Sequence, residues 1–334
     1  MEITHNWNVW GHEWAVEFLQ TSMAHKRNRH AYLITGTQGI GKFQLAIAFA
    51  MALNCENPEQ APCRECSSCK RIFSGNHPDL VVSELDNNSL KIDEIRRVMT
   101  LLALKPFSSR YRIAILPDFE KARPQAQDAL LKTLEEPSPH AVLIVLASST
   151  EEIMSTITSR CQVIPLRPVP MDMIQEVLTM HGADEDRAQL LARLSNGRVQ
   201  WALHALKDEV VMQERDDMLN LLIDAIDNGR IRRFEIADEL DKIGRKDKQA
   251  IHYMLETWQT YWRDVLLETQ LSRIKPCNTD RLVHIQQLVQ RITPDEALTA
   301  LKATRDTMTL LDKTNANTRM ALEVMFLDYP GLRG

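Results

Sequence analysis

Ala31-Tyr-Leu-Ile-Thr35, Gly36-Thr-Gln-Gly-Ile-Gly41-Lys42-Phe43 and Gln44-Leu-Ala-Ile-Ala-Phe-Ala50 follow one another without a break. The first segment is a continuous apolar run, the second a glycine loop ending in lysine, and the third an apolar helical stretch. Strand, loop and helix in that order make a phosphate loop. Its glycines let backbone N–H groups turn inward, the helix N-terminus favours an anion, and Lys42 adds a point charge. The candidate nucleotide set is Gly36, Gly39, Gly41 and Lys42, with Asp118 from the acidic strand described next.

Two positions depart from a working site. The residue after the lysine should carry a hydroxyl for Mg²⁺, but it is Phe43. Ile113-Ala-Ile-Leu-Pro-Asp118 ends a second apolar run in an Asp, but the expected following Glu is Phe119. Glu120 comes one place later and is expected to point elsewhere. Without a metal ligand and a water-orienting carboxylate, phosphoryl transfer loses most of its electrostatic support. The nucleotide site therefore reads as vestigial. ATP with Mg²⁺ is not expected to be hydrolysed, and weak nucleotide binding stays open.

Outward from the loop, Leu80–Ser83, Arg112–Leu116 and Ala141–Leu146 are further apolar runs without polar alternation, as in strands covered on both faces. Ser148 or Ser149 stands at the end of the last run. Helical patterns between the runs predict a parallel α/β sheet. Pro165-Leu-Arg-Pro-Val-Pro170 reads as a linker, residues 171–206 as a small helical unit, and the remainder as helical to the end. Ile251, Met254, Leu255, Trp258, Tyr261, Trp262, Val265 and Leu266 keep helical spacing and predict a core stripe. Thr293-Pro294-Asp295-Glu296 predicts a helix start with a capping box. Asn228-Gly229 and Asn278-Thr-Asp280 predict breaks. Gln125–Glu136 predicts one helix, ended by Pro137.

The 334 residues suggest two or three domains. A 44% apolar share and a 25% charged share are ordinary for a globular chain. No run reaches the ~18 apolar residues of a membrane span, and Met1 to Trp10 lacks the layout of a signal peptide, so a cytoplasmic location is expected. A net charge of -5 argues against a strong grip on nucleic acid by this chain alone.

Cys55, Cys63, Cys66 and Cys69 have the spacing C-x7-C-x2-C-x2-C. Two-residue spacings turn successive thiolates toward one ion, and four thiolates close a tetrahedral structural zinc site. Four free thiols in a polar stretch are the plain alternative. The module, about residues 55–79, is an insertion after the loop helix. His77 of His77-Pro78-Asp79 is expected to shape the turn into Leu80, and Cys161 and Cys277 to be ordinary core or surface residues. Arg96 and Arg97 read as a DNA contact or as a solvated face, and the solvated face is expected, since two arginines do not make a binding stripe.

Gly11-His12-Glu13, His30-Ala31-Tyr32-Leu33, the glycine loop, the four cysteines, His77-Pro78-Asp79, Ala129-Leu-Leu-Lys-Thr-Leu-Glu-Glu-Pro137 and Ser159-Arg160-Cys161 occur in the order found in bacterial clamp-loader AAA+ subunits, which the chain resembles. Asn315-Ala-Asn317-Thr-Arg319 resembles a late motif of that family. Within it the chain is most similar to the delta-prime subunits of DNA polymerase III, which commonly lack the hydroxyl and Glu missing here. Hydrolysing relatives carry a nucleotide-sensing arginine in the stretch that resembles Gly197-Arg-Val-Gln200; the resemblance puts either Gln200 or Arg198 at that place.

The resemblance implies an α/β P-loop (AAA+) domain with a zinc-binding insertion (1–168), a small helical lid (169–206) and an all-α C-terminal collar (207–334). It implies a subunit that does not hydrolyse ATP itself and has no activity on its own. As part of the polymerase holoenzyme, the subunit would work with motor subunits and the delta subunit in a hetero-oligomeric ring that loads a sliding clamp onto primed DNA. Arg160 would be an arginine finger acting in trans on a neighbour's ATP. Read as a bare residue, Arg160 is a surface arginine capping a helix. The rival readings are an active ATPase motor, a zinc-containing DNA-binding protein, or a degenerate P-loop scaffold of some other assembly.

Overall fold

The computed structural model describes residues 7–86, 89–314 and 316–331. Met1 to Asn6 of the chain start, and Asn315 of the late motif, lie outside the described residues. The chain divides into two compact units, Met1–Gly182 with Gly197–Ala202, and Ala183–Asn196 with Leu203–Gly334.

The first unit opens with α1 (Glu13–Ala24) and is built on five parallel strands, β1 (Ala31–Thr35), β2 (Leu80–Val82), β3 (Arg112–Leu116), β4 (Ala141–Ala147) and β5 (Gln162–Pro165). Their order across the sheet is β2-β3-β4-β1-β5. Tyr32 pairs with Ile144 on one side of β1 and with Gln162 on the other. Apolar runs without alternation follow from burial on both faces. Tyr32, Ile34, Ile113, Ile115, Val142 and Ile144 enter one core, while Ala31, Leu33, Ala114, Leu116, Leu143 and Val145 enter the other. That is the period of two of a strand between layers.

The runs at Ala31–Thr35 and Arg112–Leu116 match β1 and β3. β2 stops at Val82, although the Ser83 N–H still reaches Ile115 O at 3.0 Å. β5 begins just before the predicted linker and was not expected. An edge strand of four residues ending in Pro165 tolerates a proline that a central strand would reject.

Helix α2 (Lys42–Leu53) is buried from Leu45 to Leu53. A helix apolar all round must be covered all round, and Cys55, Cys69 and Ile72 of the cysteine insertion join its core. The insertion carries α3 (Ser67–Phe73). On the other face α4 (Ile92–Leu102) buries Ile95, Val98, Met99 and Leu102, its i, i+3, i+4, i+7 stripe. Gln125–Glu136 is not one helix: α5 (Pro124–Gln127) and α6 (Leu131–Glu135) flank a 3₁₀ turn at Asp128–Leu130. α7 (Ser155–Thr158) and α8 (Met171–Met180) complete this unit, together with the start of α10 (Val199–Lys207).

The second unit holds α9 (Glu185–Leu194), α11 (Glu209–Asp227), α12 (Arg230–Lys246), α13 (Lys248–Thr269), α14 (Leu282–Val289), α15 (Pro294–Lys313) and α16 (Thr318–Leu327). Trp258, Tyr261 and Trp262 of α13 are fully buried beside Phe326 and Tyr329. Each large side chain so buried contributes roughly 1.5–3 kcal/mol. The predicted breaks are present. Asn228 and Gly229 separate α11 from α12, and a 3₁₀ turn at Thr279–Arg281 precedes α14. α15 starts with the expected capping box between Thr293 and Glu296.

Several buried polar groups of this unit pair with one another. Arg215 bonds Asp280 at 2.8 Å and Asn278 at 2.5 Å, and Asp264 accepts the Asn278 N–H at 2.7 Å. Among the described residues, no helix is long and apolar enough to cross a membrane.

Candidate phosphate-loop, metal and arginine sites

The glycine loop leaves the carboxyl end of β1, where open α/β sheets place their ligand crevice. Gly36, Gly39 and Gly41 all have positive φ. A Cβ on Gly36 would lie 2.9 Å from Leu166 O, and one on Gly39 would lie 3.1 Å from the Trp201 Cβ. The loop is therefore packed closely from outside. The N–H groups of Gln200 and Trp201, at the start of α10, donate to Gly39 O at 3.0 and 3.1 Å. Gln200 thus meets the loop through its backbone. Below the loop, His12 Nε2 donates to Ile40 O at 3.0 Å, and burial lowers the His12 pKa.

The loop lysine turns onto its own backbone. Lys42 Nζ donates to Gly36 O at 2.6 Å and to Thr37 O at 3.3 Å. Burial pulls its pKa below the usual lysine value, while Glu120, Asp118 and Glu152 pull it back up. Phe43, where the hydroxyl is needed, is 47% exposed, and Phe119 is fully buried. Asp118 has a left-handed backbone, φ 47°, and its carboxylate accepts from Lys121 Nζ at 3.0 Å.

Glu120 corrects the sequence reading. It does not point elsewhere: its carboxylate accepts from the Ser148 hydroxyl at the end of β4, and it is the strongest negative influence on Lys42. The left-handed turn at Asp118 and the 3₁₀ turn at Phe119–Lys121 bring it back toward the loop. Straight extrapolation of the strand missed it, and no local signal marks the turn.

The four cysteine sulfurs lie within 4.8 Å of one another. Zinc bonds thiolate sulfur at about 2.3 Å in a tetrahedron, which spaces the sulfurs about 3.8 Å apart, so the donor set fits such an ion. Backbone N–H groups aim at the sulfurs, from Cys63 to Cys55, Cys66 to Cys63 and Cys69 to Cys66, each at 3.4 Å. Such bonds favour thiolate. The Cys66 N–H is the main cause that brings Cys63 down to about 7, while burial pushes Cys55 and Cys69 up. Cys161 and Cys277 lie outside the cluster, and burial pushes both thiols up, Cys161 to about 12.

His77 is not among the clustered ligands. Its ring bonds Ser68 Oγ at 3.3 Å and Ser109 Oγ at 3.2 Å through Nε2, while Nδ1 accepts the Asp79 N–H at 3.1 Å. Asp79 is fully buried and accepts from the backbone N–H groups of Phe107, Ser108 and Ser109 at 2.6–3.0 Å. His77-Pro78-Asp79 therefore shapes the chain into β2 and orders the segment before β3. Burial alone would raise the Asp79 pKa, but the three N–H groups outweigh it and hold the carboxyl below its ordinary value.

Arg160 follows α7 with its side chain 38% exposed. Its NH1 donates to Thr156 O at 2.8 Å and its NH2 to Glu135 Oε1 at 2.9 Å. Arg97 pairs with Glu94 at 2.7 Å and Arg96 with Asp93 at 3.6 Å on the solvent side of α4.

A family model described as "DNA polymerase III, delta subunit" matches residues 11–170. The DNA polymerase III delta' subunit of Bacillus subtilis is 28% identical over 305 residues, covering 88% of this chain and 85% of that protein. The tau subunit of the same organism is 37% identical over 156 residues, which is 46% of this chain and 28% of that protein. The delta' subunit of Haemophilus influenzae is 30% identical over 189 residues, 56% of this chain and 58% of that protein. Among solved structures, a gamma subunit-related protein of Thermotoga maritima matches at a TM-score of 0.46 and 17% identity, covering 93% of this chain and 97% of that one.

Proposed function

We propose that this chain, which is similar to DNA polymerase III delta' and tau subunits, is a member of the bacterial clamp-loader AAA+ family and a cytoplasmic loader subunit that does not hydrolyse ATP. It completes a ring with motor subunits and a delta subunit, supports the loading of a sliding clamp onto primed DNA, and offers Arg160 to a neighbour's ATP. Residues 169–206 serve as its lid and 207–334 as its collar. The supporting observation is the state of the loop. The phosphate-seeking amine of Lys42 is committed to Gly36 O, and an aromatic ring stands where a hydroxyl must hold Mg²⁺. Zinc at Cys55, Cys63, Cys66 and Cys69 acts as a structural ion that closes the insertion over α2. A closed four-thiolate site has no open position for chemistry.

One observation favours an active motor instead. Glu120 lies beside Ser148 and in the field of Lys42, near where a water-orienting carboxylate belongs. ATP turnover by the purified chain with Mg²⁺ and primed DNA separates the two readings. A rate at background supports the non-hydrolysing subunit. Sustained turnover that Glu120→Gln abolishes rejects it.

A further inference from the structure

Arg160 is anchored twice, from two different elements. NH1 is held by a carbonyl of the preceding helix α7, and NH2 by Glu135, the last residue of α6. Glu135 is 25 residues away in sequence and is 54% exposed. A carboxylate at a helix C-terminus is disfavoured by the helix dipole, so the placement of Glu135 gains from the guanidinium beside it. Arginine has many rotamers, and a planar fork held at two nitrogens loses most of them. Only two of its five N–H groups are used. The other three make no hydrogen bond among the described residues and are directed by the two anchors that hold the group.

We infer that Glu135 is a positioning residue for Arg160: it fixes the direction in which the guanidinium is presented to an anionic group, such as a phosphate, on a neighbouring subunit. This rests on the reading of Arg160 as a finger in trans. A charge that must meet a transition state works best when it is already oriented, because little reorganisation remains at the moment of reaction. A phosphate can accept from donors that Thr156 and Glu135 leave unused, without displacing Glu135.

The test is a double-mutant cycle in a reconstituted loader, measuring kcat and KM for ATP with clamp and primed DNA. Glu135→Ala is expected to lower kcat three- to tenfold with KM unchanged. Glu135→Gln, which keeps an acceptor oxygen, should retain more than half the rate. In an Arg160→Ala background, Glu135→Ala should have no further effect. Glu136→Ala, at the exposed neighbouring position, serves as control, and the thermal midpoint of each variant chain reports folding. A loss with Arg160→Ala but none with Glu135→Ala overturns the positioning role alone. An equal loss from Glu135→Ala in both backgrounds also overturns it, because the effect then bypasses Arg160. An unchanged rate with Arg160→Ala overturns the finger and the positioning role together.

Discussion

Lys42 Nζ sits 2.6 Å from the carbonyl oxygen of Gly36, six residues earlier in the same loop. A phosphate-loop lysine normally serves the ligand. Here it closes the loop on itself, with the carboxylates of Glu120, Asp118 and Glu152 supplying the negative field a phosphate would bring. A folding role follows for a residue whose type suggests binding.

Lys42→Met is therefore expected to lower stability by about 1–2 kcal/mol, the worth of charge-assisted hydrogen bonds in a partly buried setting. Urea unfolding of the two proteins measures it. In a working nucleotide site the same change would mainly cost nucleotide affinity. A variant as stable as the parent would show that the lysine is held there at no benefit to the fold.

The segment before β3 hangs on Asp79. Its folded carboxyl ionises below the ordinary value of about 3.9, so the native state binds fewer protons than the unfolded state. The stability it contributes is complete above the unfolded value and is lost as pH falls through the folded one. Asp79→Asn should cost about 2–3 kcal/mol at neutral pH, because its N–H groups lose a charged acceptor. The penalty should shrink below about pH 4. Denaturation midpoints of both proteins between pH 3 and 7 check the convergence.

Much of this architecture was readable in advance, and the failures share a cause. β1 and β3 were found because continuous apolar runs have one explanation in a layered α/β unit. The cysteine cluster was legible because its spacing is local. Glu120 and Glu135 were missed because their roles depend on how the chain returns. Asp118 turns left-handed and carries Glu120 back to Lys42, and Glu135 meets Arg160 across 25 residues. β5 was missed because four residues next to prolines carry too little pattern.

The cysteine cluster should hold one zinc ion per chain, measured by mass spectrometry of the purified protein. Removing the metal with a strong chelator should lower the thermal midpoint, because binding energy at a structural site is folding energy. Cys69→Ser should destabilise more than Cys63→Ser. Cys69 is fully buried against the core of α2, whereas Cys63 is only partly buried. Equal effects would mean that the ion alone, and not the packing beneath it, sets the cost.

Arg233 of α12 is the strongest case in the helical unit. Its guanidinium is fully buried and donates to the carbonyls of Ala225 at 2.7 Å, Phe326 at 2.8 Å and Tyr329 at 3.0 Å, and also to Pro330. It ties the turn after α16 to the end of α11, and its charge is spread over carbonyl oxygens, with no carboxylate partner among the described residues. Arg233→Met keeps the volume but strands several buried acceptors, and each stranded group is costly. A loss of about 3–5 kcal/mol is expected from guanidinium chloride unfolding. Its neighbour Arg232 makes more ion pairs, to Asp224, Glu235 and Glu239, but makes them at the surface where water competes. Arg232→Met should move the midpoint far less. The reverse order would mean that the surface network, and not the buried guanidinium, holds α12 in place.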